Sequence, residues 1–212
     1  MICVSIGEPG IKKCLAQLEK TSIAEIRLEK TGFSKSEIDI IFSMKKKIIA
    51  TCRPGEYNDR ERAEILKYAI AAGAGFVDIE YESEPEFRND ILDFAHKNEC
   101  DVIISYHNYD LTPEIDVLEN IMNECFAMGA DVAKIATMVN VNRDNSKIFS
   151  LYNAPGRLVA IGMGELGKIS RIVAPFLGAE FTYASPDNGE PTAPGQINYS
   201  KLNEFILKIQ EI

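Results

Sequence analysis

The chain has 212 residues, of which 46% are hydrophobic and 26% charged, a size for one globular domain with its own core and a composition that excludes disorder. Its 23 basic and 32 acidic residues leave a net charge of −9, so it lacks the basic field that nucleic acid or an anionic membrane requires of a partner. No apolar run approaches the ~18 residues of a membrane span, and the opening MICVSIGEPG has neither a basic region nor a small-residue cleavage site, which predicts no signal peptide.

In chain order, Ile2–Ile6, 23–28 and 47–52 read as short apolar strands. Residues 59–72 then read as a helix, with Ile65, Leu66, Ala69 and Ile70 on one face. A strand at 75–80, a helix at 85–96 and a strand at 101–106 follow. The helix at 113–128 carries Ile115, Val117, Leu118, Ile121 and Met122 at helical spacing. Strands at 131–137, 157–163 and 179–184 precede a last helix at 199–209. Strand starts lie about 21 to 30 residues apart, near the ~31 of an eight-fold βα barrel. Eight such repeats predict a compact TIM (β/α)8 barrel, α/β with eight parallel strands, filling 1–212 as a single domain. A doubly wound open sheet of five or six strands is the competitor.

Strands of a parallel barrel are buried on both faces and should read as unbroken apolar runs. Several here do not. Alternation puts Glu25, Arg27 and Glu29 on one face of the second strand. The third run ends in Arg53, the fourth in Asp78 and Glu80, and the fifth in His107 after Ile103 and Ser105. The sixth carries Lys134 inside Val132-Ala133-Lys134-Ile135-Ala136. These charges are expected to point into the barrel near its C-terminal mouth, where such barrels do chemistry.

A lysine in a desolvated, partly cationic site has a depressed pKa, and its free amine can form a Schiff base with a ketone. The imine acidifies the neighbouring carbon, and a histidine within reach can take that proton. Lys134 and His107, on neighbouring strands, fit that geometry. After the seventh strand, Gly162-Met163-Gly164-Glu165-Leu166-Gly167 matches G-x-G-x-x-G, but it falls in the seventh unit with no acid ending the next strand, which argues against a dinucleotide site. The long Gly- and Pro-bearing segment 185–196 reads as a lid.

With these residues the chain resembles the type I 3-dehydroquinate dehydratases, Schiff-base enzymes of the shikimate pathway. The pieces that carry the resemblance are Val4-Ser5, Glu25-Ile26-Arg27, Arg53, Ser105-Tyr106-His107-Asn108-Tyr109 with Thr112-Pro113, Ala133-Lys134-Ile135-Ala136, Met163-Gly164 with Ser170-Arg171, and Ala193-Pro194-Gly195-Gln196. The resemblance implies a hydro-lyase that converts 3-dehydroquinate to 3-dehydroshikimate. Lys134 would form the imine with the C3 ketone, and His107 would take a proton from C2, assist loss of the C1 hydroxyl, and serve the imine's formation and hydrolysis. Arg171, Gln196 and Thr192 would hold the substrate carboxylate; Glu25, Arg27 and Arg53 would grip ring hydroxyls beside Ser5; Met163 and Tyr183 would form apolar walls. It also implies a homodimer, no cofactor and no metal.

The sequence departs from the family pattern in three ways. Thr192 replaces the usual serine, Glu29 the usual aspartate, and the loop after Arg53 is a residue short. The short loop leaves two candidates for the acid that orients His107, Glu56 first and Glu80 as rival. A class I aldolase-type barrel and a non-catalytic binding barrel are the alternative functions. Cys3, Cys14, Cys52, Cys100 and Cys125 are scattered without a C-x-x-C pair, and with two histidines in the chain they suggest reduced thiols in a cytoplasm rather than a zinc site.

Overall fold

A computed structural model describes residues 1–211. Eight parallel strands, β1 (Ile2–Ile6), β2 (Ile23–Arg27), β3 (Lys47–Thr51), β4 (Phe76–Glu80), β5 (Asp101–Asn108), β6 (Val132–Met138), β7 (Leu158–Met163) and β8 (Thr182–Ala184), form one sheet in the order β7-β6-β5-β4-β3-β2-β1-β8. The predicted barrel is therefore present, with one difference. No ladder joins β7 to β8 among the described residues; the seam is held by a backbone bond from Glu180 N to Leu158 O at 2.9 Å. Arg157 reinforces it, bridging Glu180 and Asp101 at 2.8 Å each.

The helices between the strands are α1 (Ile11–Lys20), α2 (Leu28–Thr31), α3 (Lys35–Phe42), α4 (Asp59–Ala71), α5 (Pro85–Lys97), α6 (Ile115–Ala127), α7 (Asn142–Ser150), α8 (Lys168–Val173) and α9 (Tyr199–Gln210). Local chemistry marks their starts. Asn58 accepts from the amide of Glu61, whose carboxylate returns to the Asn58 amide, a reciprocal cap that satisfies two free donors at the start of α4. Pro85 opens α5, where a missing N–H costs nothing. One strand boundary differs from the sequence reading. β2 stops at Arg27 and the chain turns at once into α2, so Glu29 lies on that short helix rather than on the strand face shared by Glu25 and Arg27.

Alternation along the strands divides the buried residues into two sets. Val4, Ala24, Ile48, Val77, Ile104, Ala133 and Ala160 face outward against the helices. Cys3, Ile23, Ile49, Phe76, Ile103, Val132, Val159 and Phe181 face inward and plug the N-terminal half of the lumen. Two residues further along the same inward rows stand Ser5, Glu25, Thr51, Asp78, Ser105, Lys134 and Tyr183, all buried. The lumen thus passes from an oil-filled floor to a polar ceiling within one period of each strand.

The glycine motif after β7 is a packing device. A Cβ on Gly162 would lie 2.6 Å from Val139 Cγ2, and one on Gly167 would lie 2.5 Å from the Gly162 carbonyl carbon. Only glycines let α8 close so tightly onto β7. All five cysteines are free and buried, and burial pushes the thiols of Cys14, Cys52, Cys100 and Cys125 up to about 12.

Candidate active site

The polar ceiling opens at the C-terminal mouth into a cavity lined by, among others, Arg53, His107, Lys134, Arg171, Tyr183 and Gln196. Lys134 reaches it from the middle of β6 and is only 5% exposed. Its Nζ donates to Asp78 Oδ2 at 2.9 Å and to the Tyr183 hydroxyl at 3.2 Å, with Glu25 Oε1 at 3.6 Å. The neighbours of the amine are therefore two carboxylates and a phenol, not the cationic surroundings expected from the sequence. Arg53, the arginine of the same web, is turned onto acids rather than toward the amine. It binds Asp78 Oδ1 at 2.9 Å, Glu80 at 2.7 Å and Ser105 Oγ at 2.9 Å.

Asp78 is the junction of this web. One oxygen takes Lys134; the other takes Arg53 and the Ser105 hydroxyl, the latter at 2.6 Å. Burial alone would raise its pKa, but Arg53, Lys134 and the Ser105 hydrogen bond hold it well below the ordinary carboxylate range. Burial likewise opposes ionisation of Glu25, and Lys134 and then Arg27 outweigh it, leaving its pKa lowered. Glu25 also accepts from Thr51 at 3.1 Å and from Ser5. Arg27, one step nearer the mouth, is gripped by Glu29 at 2.6 Å.

His107 comes from the neighbouring strand. The register pairs Ser105 with Lys134 and His107 with Ala136, so the imidazole stands one inward-facing step above the amine. Burial, then the charges of Arg53 and Lys134, push its pKa well below 6.5, which makes it a neutral imidazole able to accept a proton at neutral pH. It stacks on Tyr109 with the ring planes 12° apart. Neither candidate orienter touches it. Glu56 is exposed on the loop after β3 and makes no hydrogen bond among the described residues, and both oxygens of Glu80 are taken by Arg53 and Arg62.

Arg171 has a different character from the other cations. It projects from α8, is fully buried, and no carboxylate pairs with it among the described residues. Its guanidinium makes two long bonds to carbonyls, Tyr183 O at 3.4 Å and Pro194 O at 3.3 Å, and its Nε has no partner. Burial pushes its pKa down to about 10, still cationic at neutral pH. A buried cation without a counter-ion is a binding site for an anion.

The 185–196 segment closes over this cation. Thr192 donates to Ser5 Oγ at 2.8 Å, and Gln196 Oε1 accepts from the Thr192 amide at 2.8 Å. Gly195 (φ +73°) passes so close to Gly164 that any Cβ would collide with the Gly164 carbonyl, and the Gly164 amide bonds to Pro194 O. Lid, Ser5, Glu25 and Lys134 are thereby joined in one chain of polar contacts.

The structure thus brings together Lys134, His107, Arg53, Arg171, Thr192, Gln196, Ser5, Glu25 and Arg27, and leaves Glu56 outside. Sequence reasoning had Asp78 in the lumen without its bond to Lys134. It took Tyr183 as an apolar wall and missed its hydroxyl. The signal for both was parity, since Tyr183 shares the inward row of Phe181 as Asp78 shares that of Phe76.

Comparison with known proteins points to a single family. A family model described as "Type I 3-dehydroquinase" matches residues 2–212. A 3-dehydroquinate dehydratase of Methanococcus vannielii is 34% identical, with 99% of this chain and all of that protein covered. One from Methanocaldococcus jannaschii is 36% identical over 97% of each chain. The crystal structure of the 3-dehydroquinate dehydratase from Aquifex aeolicus superposes with a TM-score of 0.84 at 26% identity, covering 98% of each chain. With an amine, a neutral imidazole and an uncompensated guanidinium meeting at the mouth of one barrel, and with a match from end to end, this chain belongs to the type I 3-dehydroquinase family.

Proposed function

We propose that the protein is a 3-dehydroquinate dehydratase, a hydro-lyase of the shikimate pathway, working through a Schiff base on Lys134. The observation that carries the residue assignment is the meeting at one cavity of a buried amine, a half-buried neutral histidine and a buried arginine with no acid partner among the described residues. Arg171 is the anchor for the substrate carboxylate, because it is the buried cation at the mouth with no acid of its own among the described residues. Gln196 and Thr192 close the lid over that carboxylate, while Ser5, Glu25, Arg27 and Arg53 line the side facing ring hydroxyls.

Anchoring the carboxylate at Arg171 sets the ketone carbon against Lys134 Nζ; the ammonium gives up one proton to solvent, and the free amine attacks the carbonyl. The carbinolamine takes up one proton as its hydroxyl leaves as water, which gives the protonated imine, whose positive charge draws electrons from C2. His107, already neutral, removes the C2 proton and returns one to the departing C1 hydroxyl. Hydrolysis of the imine frees the product. The same proposal, following the family, makes the enzyme a cytoplasmic homodimer; its charge of −9 supports the lack of a nucleic-acid or anionic-membrane partner.

The direct test is to supply 3-dehydroquinate and follow the absorbance of the conjugated enone-carboxylate. Borohydride added during turnover should leave ligand covalently attached to Lys134. Absence of the product refutes the activity, and a label on Lys168 instead refutes the residue assignment.

A further inference from the structure

The reaction needs more than one proton transfer at the amine. When Nζ attacks a ketone, the new C–N bond leaves a positive nitrogen and a negative oxygen, and a proton must pass from one to the other. The carboxylates beside Lys134, Asp78 and Glu25, are held ionised by Arg53 and Lys134 and have no proton to give. His107 stands a step nearer the mouth and makes no hydrogen bond to Nζ among the described residues. The remaining polar group in contact with the amine is the phenol of Tyr183.

Its geometry suits a transfer. Tyr183 Oη accepts from Lys134 Nζ at 3.2 Å, and Nζ lies 4.4 Å from the ring centroid. The ring is fixed edge-on against Phe181, with centroids 5.5 Å apart, and Phe181 against Phe76 at 6.1 Å. The hydroxyl's own hydrogen finds no acceptor among the described residues, and the group lines the cavity. It is a donor without an acceptor in the free protein, beside the one atom where an acceptor is created during the reaction.

We propose that Tyr183 is a catalytic residue that relays a proton during formation of the Lys134 imine, an inference that rests on Lys134 being the Schiff-base lysine. As the C–N bond forms, the carbonyl π pair moves to oxygen. Nζ passes a proton to Tyr183 Oη while the phenol passes its own to the alkoxide, giving a neutral carbinolamine and a neutral tyrosine. Burial, then Glu25, Cys3 and Asp78, keep the phenol well above its usual pKa of 10. It therefore stands as the neutral phenol at neutral pH, and the two transfers are coupled.

The test is Tyr183→Phe in the full chain, which keeps the ring contacts and removes only the oxygen. Borohydride trapping of ligand on Lys134 in single turnover should slow about 100-fold or more, the lower end of the range for loss of an acid–base group. Imine formation then limits the rate, so the isotope effect of C2-deuterated substrate should shrink toward unity, which a purely packing role would not produce. Site-specific 3,5-difluorotyrosine at 183 is the second variant. It should trap at the wild-type rate near neutral pH and lose that rate at a lower alkaline pH than wild type, because its phenol ionises sooner. Trapping by Tyr183→Phe at the wild-type rate overturns the relay and leaves Lys134 as the Schiff-base residue. Failure of the wild-type protein to trap ligand on Lys134 overturns both.

Discussion

Replacing Arg171 with methionine separates stability from binding. A typical buried ion pair loses about 3–5 kcal/mol when one partner is removed, because the other charge is stranded. Arg171 strands nothing, since no carboxylate faces it among the described residues. Burial pushes its pKa from the ordinary guanidinium range down to about 10, and at about 1.4 kcal/mol per unit this corresponds to about 3 kcal/mol of penalty for holding the charge in place. Against that gain stand two long hydrogen bonds to carbonyls, together about 2 kcal/mol at most, and some lost packing that the methionine stem largely retains. The ligand-free Arg171→Met protein should therefore unfold in urea within about 1 kcal/mol of wild type. Binding should move the other way. Removing the cation that meets a buried carboxylate costs about 2–5 kcal/mol, so KM for 3-dehydroquinate should rise by roughly 30-fold to 1,000-fold or more. Urea denaturation and steady-state kinetics on the same preparation read both. A ligand-free variant destabilised by more than about 3 kcal/mol, with KM unchanged, would refute the account of Arg171 as a cation waiting for an anion.

Lys134→Ala leaves Asp78 and Glu25 without their amine and should both abolish borohydride labelling and destabilise the fold by about 3 kcal/mol; unchanged urea stability would contradict the ion-pair web. Because burial and neighbouring cations hold His107 neutral well below pH 6.5, kcat/KM should stay flat as pH falls through 6.5 and decline only below it. Over the same range the unfolded chain gains a proton that the folded one refuses, so stability should fall with pH. A kcat/KM midpoint at or above 6.5 would contradict the burial argument. Thr192→Ala and Gln196→Ala, which lose bonds within the lid and to Ser5, should raise KM more than they lower kcat; kinetics with neither constant changed would remove the lid from the site.

Much of this was legible in the sequence because a barrel strand leaves little choice. A charge at Glu25 or Lys134, flanked by Ala24 and Ile26 or Ala133 and Ile135, has no helix-facing place to go, so inward direction follows from parity alone. What parity does not encode is how far a long side chain reaches and which acid it meets. Arg53 was legible as a cation at the mouth, yet its turn onto Asp78 and Glu80 depends on stagger between β3 and β4. Glu29 was misassigned because strand alternation was extended one residue past the point where α2 begins. The orienter of His107 lay beyond the sequence for a similar reason: loop length after Arg53 sets where Glu56 points, and three-dimensional competition from Arg62 claims Glu80.

The five buried thiols amount to a set of reporters distributed around the barrel. Cys3 lies in the lumen floor, Cys14 on α1, Cys52 just after β3, Cys100 just before β5 and Cys125 on α6. With 1% or less of each exposed and the thiolate suppressed, none can be alkylated until its own neighbourhood opens. The rate at which each takes up a thiol reagent is therefore a local clock for a different stave, readable by mass spectrometry without engineering a single label. All five run at a common rate if the barrel opens as one piece, and Cys3, on β1 beside β8, runs ahead of Cys125 if the β7–β8 seam parts first.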